Sequence, residues 1–174
     1  MKTDIITAGG TCFDFVHPER SRFTIEEIAH HLAHICRFTG AVRQFYSVAQ
    51  HSVLVSQVVP PQHALAGLLH DAAEAFIGDV SRPLKALLPD YKIIEKRVEA
   101  VVLGRFGLSP DLPPEVKHAD MVLLATEKRD LMPAHPDDWD CLEGAQPLPA
   151  RIEPVESVLA RRMFMLRYWE LMQS

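Results

Sequence analysis

The sequence predicts an all-α domain of about six or seven helices with a short β-hairpin at its start. Three observations carry this. Apolar residues recur at intervals of three and four over most of the chain, a helix-capping signature opens the first such run, and prolines and glycines fall at the edges of the runs. The hairpin comes first. Between Asp4 and Pro18, short apolar runs (Ile5, Ile6, Phe13, Phe15) flank Gly9-Gly10. Thr24 with Glu27 is a capping box, and Ile25, Ile28, Leu32 and Ile35 continue a helix to about Cys36, stopped by Gly40. A second helix covers Val48 to Val59. A third begins at Pro60-Pro61 and ends at Gly78; Leu65, Leu68, Leu69, Ala72 and Ala73 make it apolar around most of its circumference, so it belongs in the interior. Ser81-Arg82-Pro83 opens a short fourth helix. A fifth covers Asp90 to Phe106, a sixth runs from Pro113-Pro114 to about Met132, and a last one runs from Val155 to Met172. The polar, proline-containing stretch from Pro133 to Pro154 reads as a long loop.

Composition narrows the function. With 174 residues, 48% of them apolar, the chain can bury one sizeable core, and residues 1–174 read as a single domain. The net charge of -5 gives no broad electrostatic attraction for duplex nucleic acid or an anionic membrane. Cys12, Cys36 and Cys141 form no CxxC pair and are odd in number, which speaks against a zinc ribbon or a disulfide framework. No signal-peptide core or membrane-length run is present, so the expected location is the cytoplasm.

The third helix carries the chemistry. His70, Asp71 and Glu74 sit in an apolar helix, where ionised groups are costly unless they are paired or ligate a metal. His70 and Asp71 are about 100° apart on a helix and can reach one ion, and Glu74 follows one turn on. His51, in Val48-Ala49-Gln50-His51-Ser52, and Asp120, in His118-Ala119-Asp120, are further polar residues on helices that otherwise favour burial.

A His, then His-Asp, then a distant Asp resembles the HD-domain superfamily of metal-dependent phosphohydrolases. Val48–Ser52, Leu68-Leu69-His70-Asp71-Ala72-Ala73-Glu74, Gly78-Asp79 and Ala119-Asp120 are similar to the branch containing bacterial 5′-deoxynucleotidases and phage-type deoxynucleoside triphosphate hydrolases. The likeness covers roughly residues 24–132. It implies the HD helical bundle, with His51, His70, Asp71 and Asp120 as ligands of one divalent ion. An all N/O ligand set suits Mn, Co, Fe or Mg, with zinc able to substitute in crystals. One metal is expected, because His118 points away from Asp120's side of its helix, with a carboxylate-bridged second ion as the alternative. The resemblance gives Glu74 and Asp79 catalytic roles. It places Arg37 and Phe38 where relatives carry an Arg-aromatic pair, Arg37 for phosphate and Phe38 for sugar or base. Lys85 is a further phosphate-binding candidate.

The expected substrate is a small nucleotide, most simply a deoxynucleoside 5′-monophosphate hydrolysed to deoxynucleoside and phosphate. A triphosphohydrolase and a non-catalytic nucleotide sensor are the alternatives. Relatives of this kind form dimers or larger homo-oligomers, and the last helix could supply an interface. His30, His31 and His34 read as a surface or interface cluster. Glu127, Arg129 and Asp130 read as a structural ion-pair network, and Trp139 and Trp169 as packing groups.

Overall fold

The computed structural model describes residues 2–136, 139–142 and 144–173. Among these the chain is mostly helical, with one antiparallel two-stranded hairpin. Strands β1 (Asp4–Ile6) and β2 (Cys12–Asp14) pair in the register Asp4–Asp14, Ile5–Phe13, Ile6–Cys12. The hairpin is anchored from below. Thr24 and Glu27 form the predicted capping box of α1 (Ile25–His34), and the same Glu27 carboxylate accepts bonds from the Gly9 N–H and the Thr7 hydroxyl. One side chain thus caps a helix and fixes the turn of the hairpin. Phe13, fully buried, stacks on Phe76 with ring centroids 4.0 Å apart, so the hairpin seals one end of the core.

Helix α2 (Val48–Val58) packs against α1, α3 (Ala64–Leu69), α7 (Pro114–Asp130) and α8 (Ser157–Met172). Ser47 caps it, accepting the Gln50 N–H. Because α2 packs on four helices, its polar residues Gln50, His51, Ser52 and Ser56 are buried, while Gln57 faces solvent. Gln50 holds the incoming chain before α8 through the Glu153 carbonyl and the Val155 N–H. Gly67 of α3 sits tight against α2 and the residue that follows it: an added Cβ would lie 3.1 Å from the Ser56 Cα and 3.0 Å from a Val59 methyl. Gly67→Ala is therefore expected to cost about 1–3 kcal/mol, read as a lower urea midpoint at unchanged m-value.

The continuous third helix expected from Pro60 to Gly78 is interrupted. A 3-10 turn at Pro61–His63 leads into α3, residues 70–73 form tight turns, and α4 (Glu74–Ile77) follows. The cause lies in the backbone bonding. The Gly67 carbonyl, which a regular helix would offer to the Asp71 N–H, accepts a hydrogen bond from His70 Nδ1 at 2.8 Å. The next N–H groups then bond three residues back, Ala72 to Leu69 and Glu74 to Asp71. Gly78 ends α4 at φ 79°, ψ 160°, a conformation essentially reserved for glycine, and turns the chain so that Asp79 faces the same side as Asp71.

Helices α5 (Arg82–Ala86) and α6 (Pro89–Arg105) complete one wall, with Val98, Val102 and Leu103 of α6 entering the core. The loop after α7 is tied back by its last turn. Arg129 donates to the Leu148 and Ala150 carbonyls, and Asp130 pairs with Arg129 and accepts the Ile152 N–H. Helix α8 buries Ala160, Phe164 and Tyr168 at four-residue spacing. Among the described residues no helix is long and apolar enough to cross a membrane.

Candidate metal centre

His51 lies in the first turn of α2, His70 and Asp71 in the turns after α3, and Asp120 in α7. The packing of α3 and α7 on α2 brings these four together. His51 Nε2 lies 3.3 Å from His70 Nε2, 3.3 Å from Asp120 Oδ1 and 3.6 Å from Asp71 Oδ2. Asp71 Oδ2 is 3.2 Å from His70 Nε2. The ligand atoms of His51, His70 and Asp120 all fall within 4.8 Å of one another.

The tautomers follow from the partners. His51 Nδ1 meets the Glu127 carboxylate at 2.6 Å and His70 Nδ1 meets the Gly67 carbonyl. Both oxygens can only accept, so each Nδ1 carries a hydrogen and each Nε2 is turned towards the shared space. Two imidazole nitrogens 3.3 Å apart, beside two carboxylates, need a cation between them. The donor set fits a divalent ion with N/O ligands and anchored histidines. Without an ion a proton takes that role. Burial and Arg37 push His51 down, but Glu127 and Asp120 prevail and hold it up at about 9. Burial disfavours ionised Asp71, yet His70, His51 and Arg37 keep it well below the carboxylate range.

The group forms one wall of a cavity of about 760 Å³. Asp71, Asp120, Glu74 and Asp79 reach it, as do Arg37, Phe38 and Lys85, so every candidate metal, catalytic and substrate residue belongs to this one region. Arg37 is held from both sides. Its Nη2 is 3.1 Å from Glu127 Oε2 and its Nη1 is 3.5 Å from Asp71 Oδ2, while its buried Nε has no partner among the described residues. A backbone bridge between Cys36 and Ser47 closes the loop that carries it, and Phe38 and Thr39 stand at φ 56° and 54°. Left-handed backbone at a β-branched residue is strained, and here the strain lies at the cavity wall. Burial raises the Glu74 carboxyl well above its ordinary value, helped by Asp71 and Asp79, and its Oε2 is buried without a hydrogen-bond partner among the described residues. Burial raises Asp79 as well. Lys85 is engaged with Glu95 at 2.5 Å and Glu74 at 3.7 Å.

Sequence reasoning missed Glu127. It does not pair with Arg129. It is fully buried and accepts from His51, Arg37 and the Tyr46 hydroxyl (2.9 Å). The available signal was its position seven residues after Asp120, on the same face of α7. Trp139, expected as a packing group, lines the cavity, as does Arg82. His118 is exposed, away from the centre, and His31 is occupied by the Ala75 carbonyl and the Ala8 N–H.

No protein-family model matches the sequence. The chain is 43% identical over 171 residues to the uncharacterized protein YfdR of Escherichia coli (strain K12), an alignment covering 96% of this chain and 94% of that protein. It is also 38% identical over 120 residues to an uncharacterized protein of Rhodobacter capsulatus, covering 63% of this chain and 61% of the other. With such identity along nearly the whole length of both proteins, the chain belongs to the family of Escherichia coli YfdR.

Proposed function

We propose that this protein is a metal-dependent phosphohydrolase of the HD type, acting on a deoxynucleoside 5′-monophosphate to release phosphate. The observation that carries the reading is the pair of anchored histidines whose Nε2 atoms face each other and two carboxylates, at the wall of a nucleotide-sized cavity. His51, His70, Asp71 and Asp120 would hold the ion. When bound, it supplies a Lewis acid that polarises a phosphoryl oxygen and acidifies water.

The surrounding residues divide the remaining work. Arg37, kept charged and fixed by Glu127, offers its cavity-facing edge to the phosphoryl oxygens. Burial raises the Glu74 carboxyl and so favours its protonated form, which is placed to give its proton to the departing 5′ oxygen. Asp79 orients water or a sugar hydroxyl. Glu74→Gln is expected to lower kcat by about 10²–10⁴-fold while metal affinity stays within about threefold, since the amide keeps the shape of the carboxyl but holds no transferable proton. Calorimetric metal titration beside steady-state rates separates the two effects.

The cavity's charge favours one phosphate over three. Asp71, Glu74, Asp79 and Asp120 face Arg37, Arg82 and Lys85. Arg37 and Lys85 are already paired with carboxylates. Among the described residues, Arg82 meets only the Met121 sulfur at 3.9 Å, which leaves one uncommitted cation. A triphosphate would bring about two further negative charges, with Arg82 alone among the described cavity cations left to meet them beside the bound ion.

The test is turnover of metal-stripped protein given Mn²⁺, Co²⁺ or Mg²⁺ with deoxynucleoside mono- and triphosphates, the products being separated by chromatography. Metal-dependent phosphate from monophosphates is the expected result. Inorganic triphosphate as product would reassign the substrate, and a folded, metal-binding protein with no turnover would point to a sensor.

A further inference from the structure

The long loop after α7 brings Trp139 to the cavity wall, where its ring centroid lies 6.0 Å from that of Phe38, at an interplanar angle of 47°. Phe38 is in turn linked to the centre: the Arg37 guanidinium carbon is 5.2 Å from the Phe38 ring, and Arg37 Nη1 is 3.5 Å from Asp71 Oδ2. Asp71, Arg37, Phe38 and Trp139 thus form a path from the metal-binding carboxylates to a pair of aromatic rings. Leu124, one turn beyond Asp120 on α7, and Met132 add apolar wall to the same cavity. The Lys128 ammonium lies 5.4 Å from the Trp139 ring centroid, two turns along α7 from Asp120. A cavity that is anionic and metal-binding at one end and aromatic at the other matches a ligand with a phosphate at one end and a planar ring at the other.

The geometry points to Phe38 and Trp139 as a stacking site for the nucleobase, which makes the enzyme selective for phosphates carrying an aromatic base over plain sugar phosphates. This rests on the phosphohydrolase reading. The two rings are too close for a base to enter between them, but meeting at a wide angle they leave an open slot on their cavity side, where a base contacts both without base-specific hydrogen bonds. The inference also explains why Phe38 is held in a left-handed backbone conformation: the strain fixes the ring at the slot.

Trp169, half exposed on α8, is the other tryptophan, so a Trp169→Phe variant makes Trp139 the sole reporter. In this metal-free variant, deoxyadenosine is expected to quench the fluorescence saturably, and deoxyribose 5-phosphate is not. In the otherwise native protein, Trp139→Ala is expected to reduce the kcat/KM preference for deoxyadenosine monophosphate over deoxyribose 5-phosphate by about tenfold, with Trp139→Phe restoring much of it. Absence of saturable quenching, or an unchanged preference in Trp139→Ala, overturns the stacking site. If wild-type protein hydrolyses no phosphate ester, the phosphohydrolase reading fails by itself, and the nucleoside titration still decides whether the slot binds a base.

Discussion

Replacement of Asp71 by Asn is expected to reduce phosphate release by about 10³-fold or more and to weaken metal binding severely. Asp71 Oδ2 lies 3.2 Å from His70 Nε2 and 3.6 Å from His51 Nε2, and it also meets Arg37. An amide is nearly isosteric but brings no charge, and the ion's remaining ligands would be two neutral imidazoles and Asp120. The fold should survive, because Asp71 lies at the cavity wall and Arg37 keeps its bond to Glu127. The measurement is turnover beside a far-ultraviolet circular dichroism spectrum. Native-like dichroism with activity within tenfold of wild type would remove Asp71 from the centre.

Glu127→Ala should act on stability first. It removes the acceptor for three buried donors at once: His51 Nδ1, the Tyr46 hydroxyl and Arg37 Nη2. Breaking a buried ion pair by deleting one partner typically costs about 3–5 kcal/mol, which corresponds to a fall in melting temperature of about 10 °C for a domain of this size. The pH dependence has a definite sign. Burial opposes ionisation of Glu127, but Arg37 and His51 hold its carboxyl below the ordinary 4.5. Its stabilisation is therefore present above pH 4.5 and is lost as pH falls through the lower folded value. Thermal melts of wild type and variant should converge in acid and separate towards neutrality. A constant gap across that range would contradict this account of Glu127.

Much of the fold could be read from spacing and punctuation. The capping box of α1, the prolines opening α5 and α7, and Gly78 closing α4 are local signals, and local bonding realises them. The break at residues 70–73 could not be read, because it depends on His70 taking the Gly67 carbonyl while Gly67 is pressed against Ser56, a residue of another helix. The site was similarly divided. His51, His70, Asp71 and Asp120 stand out as polar residues in apolar helices. Glu127 sits among charged neighbours that mostly face solvent or the loop, so nothing local marks it as the one turned inwards. Trp139 lies in a stretch without periodicity, and only tertiary contact brings it opposite Phe38.

Whether His51, His70, Asp71 and Asp120 form one metal site is decided by calorimetric titration of metal-stripped protein with Mn²⁺ at several pH values. One ion per chain is expected. Its affinity is expected to rise by about tenfold per pH unit below about 9, because the ion must displace the proton that Glu127 and Asp120 hold on His51. The heat should disappear in His51→Ala. No binding, or binding that is indifferent to both pH and His51, would contradict the metal site.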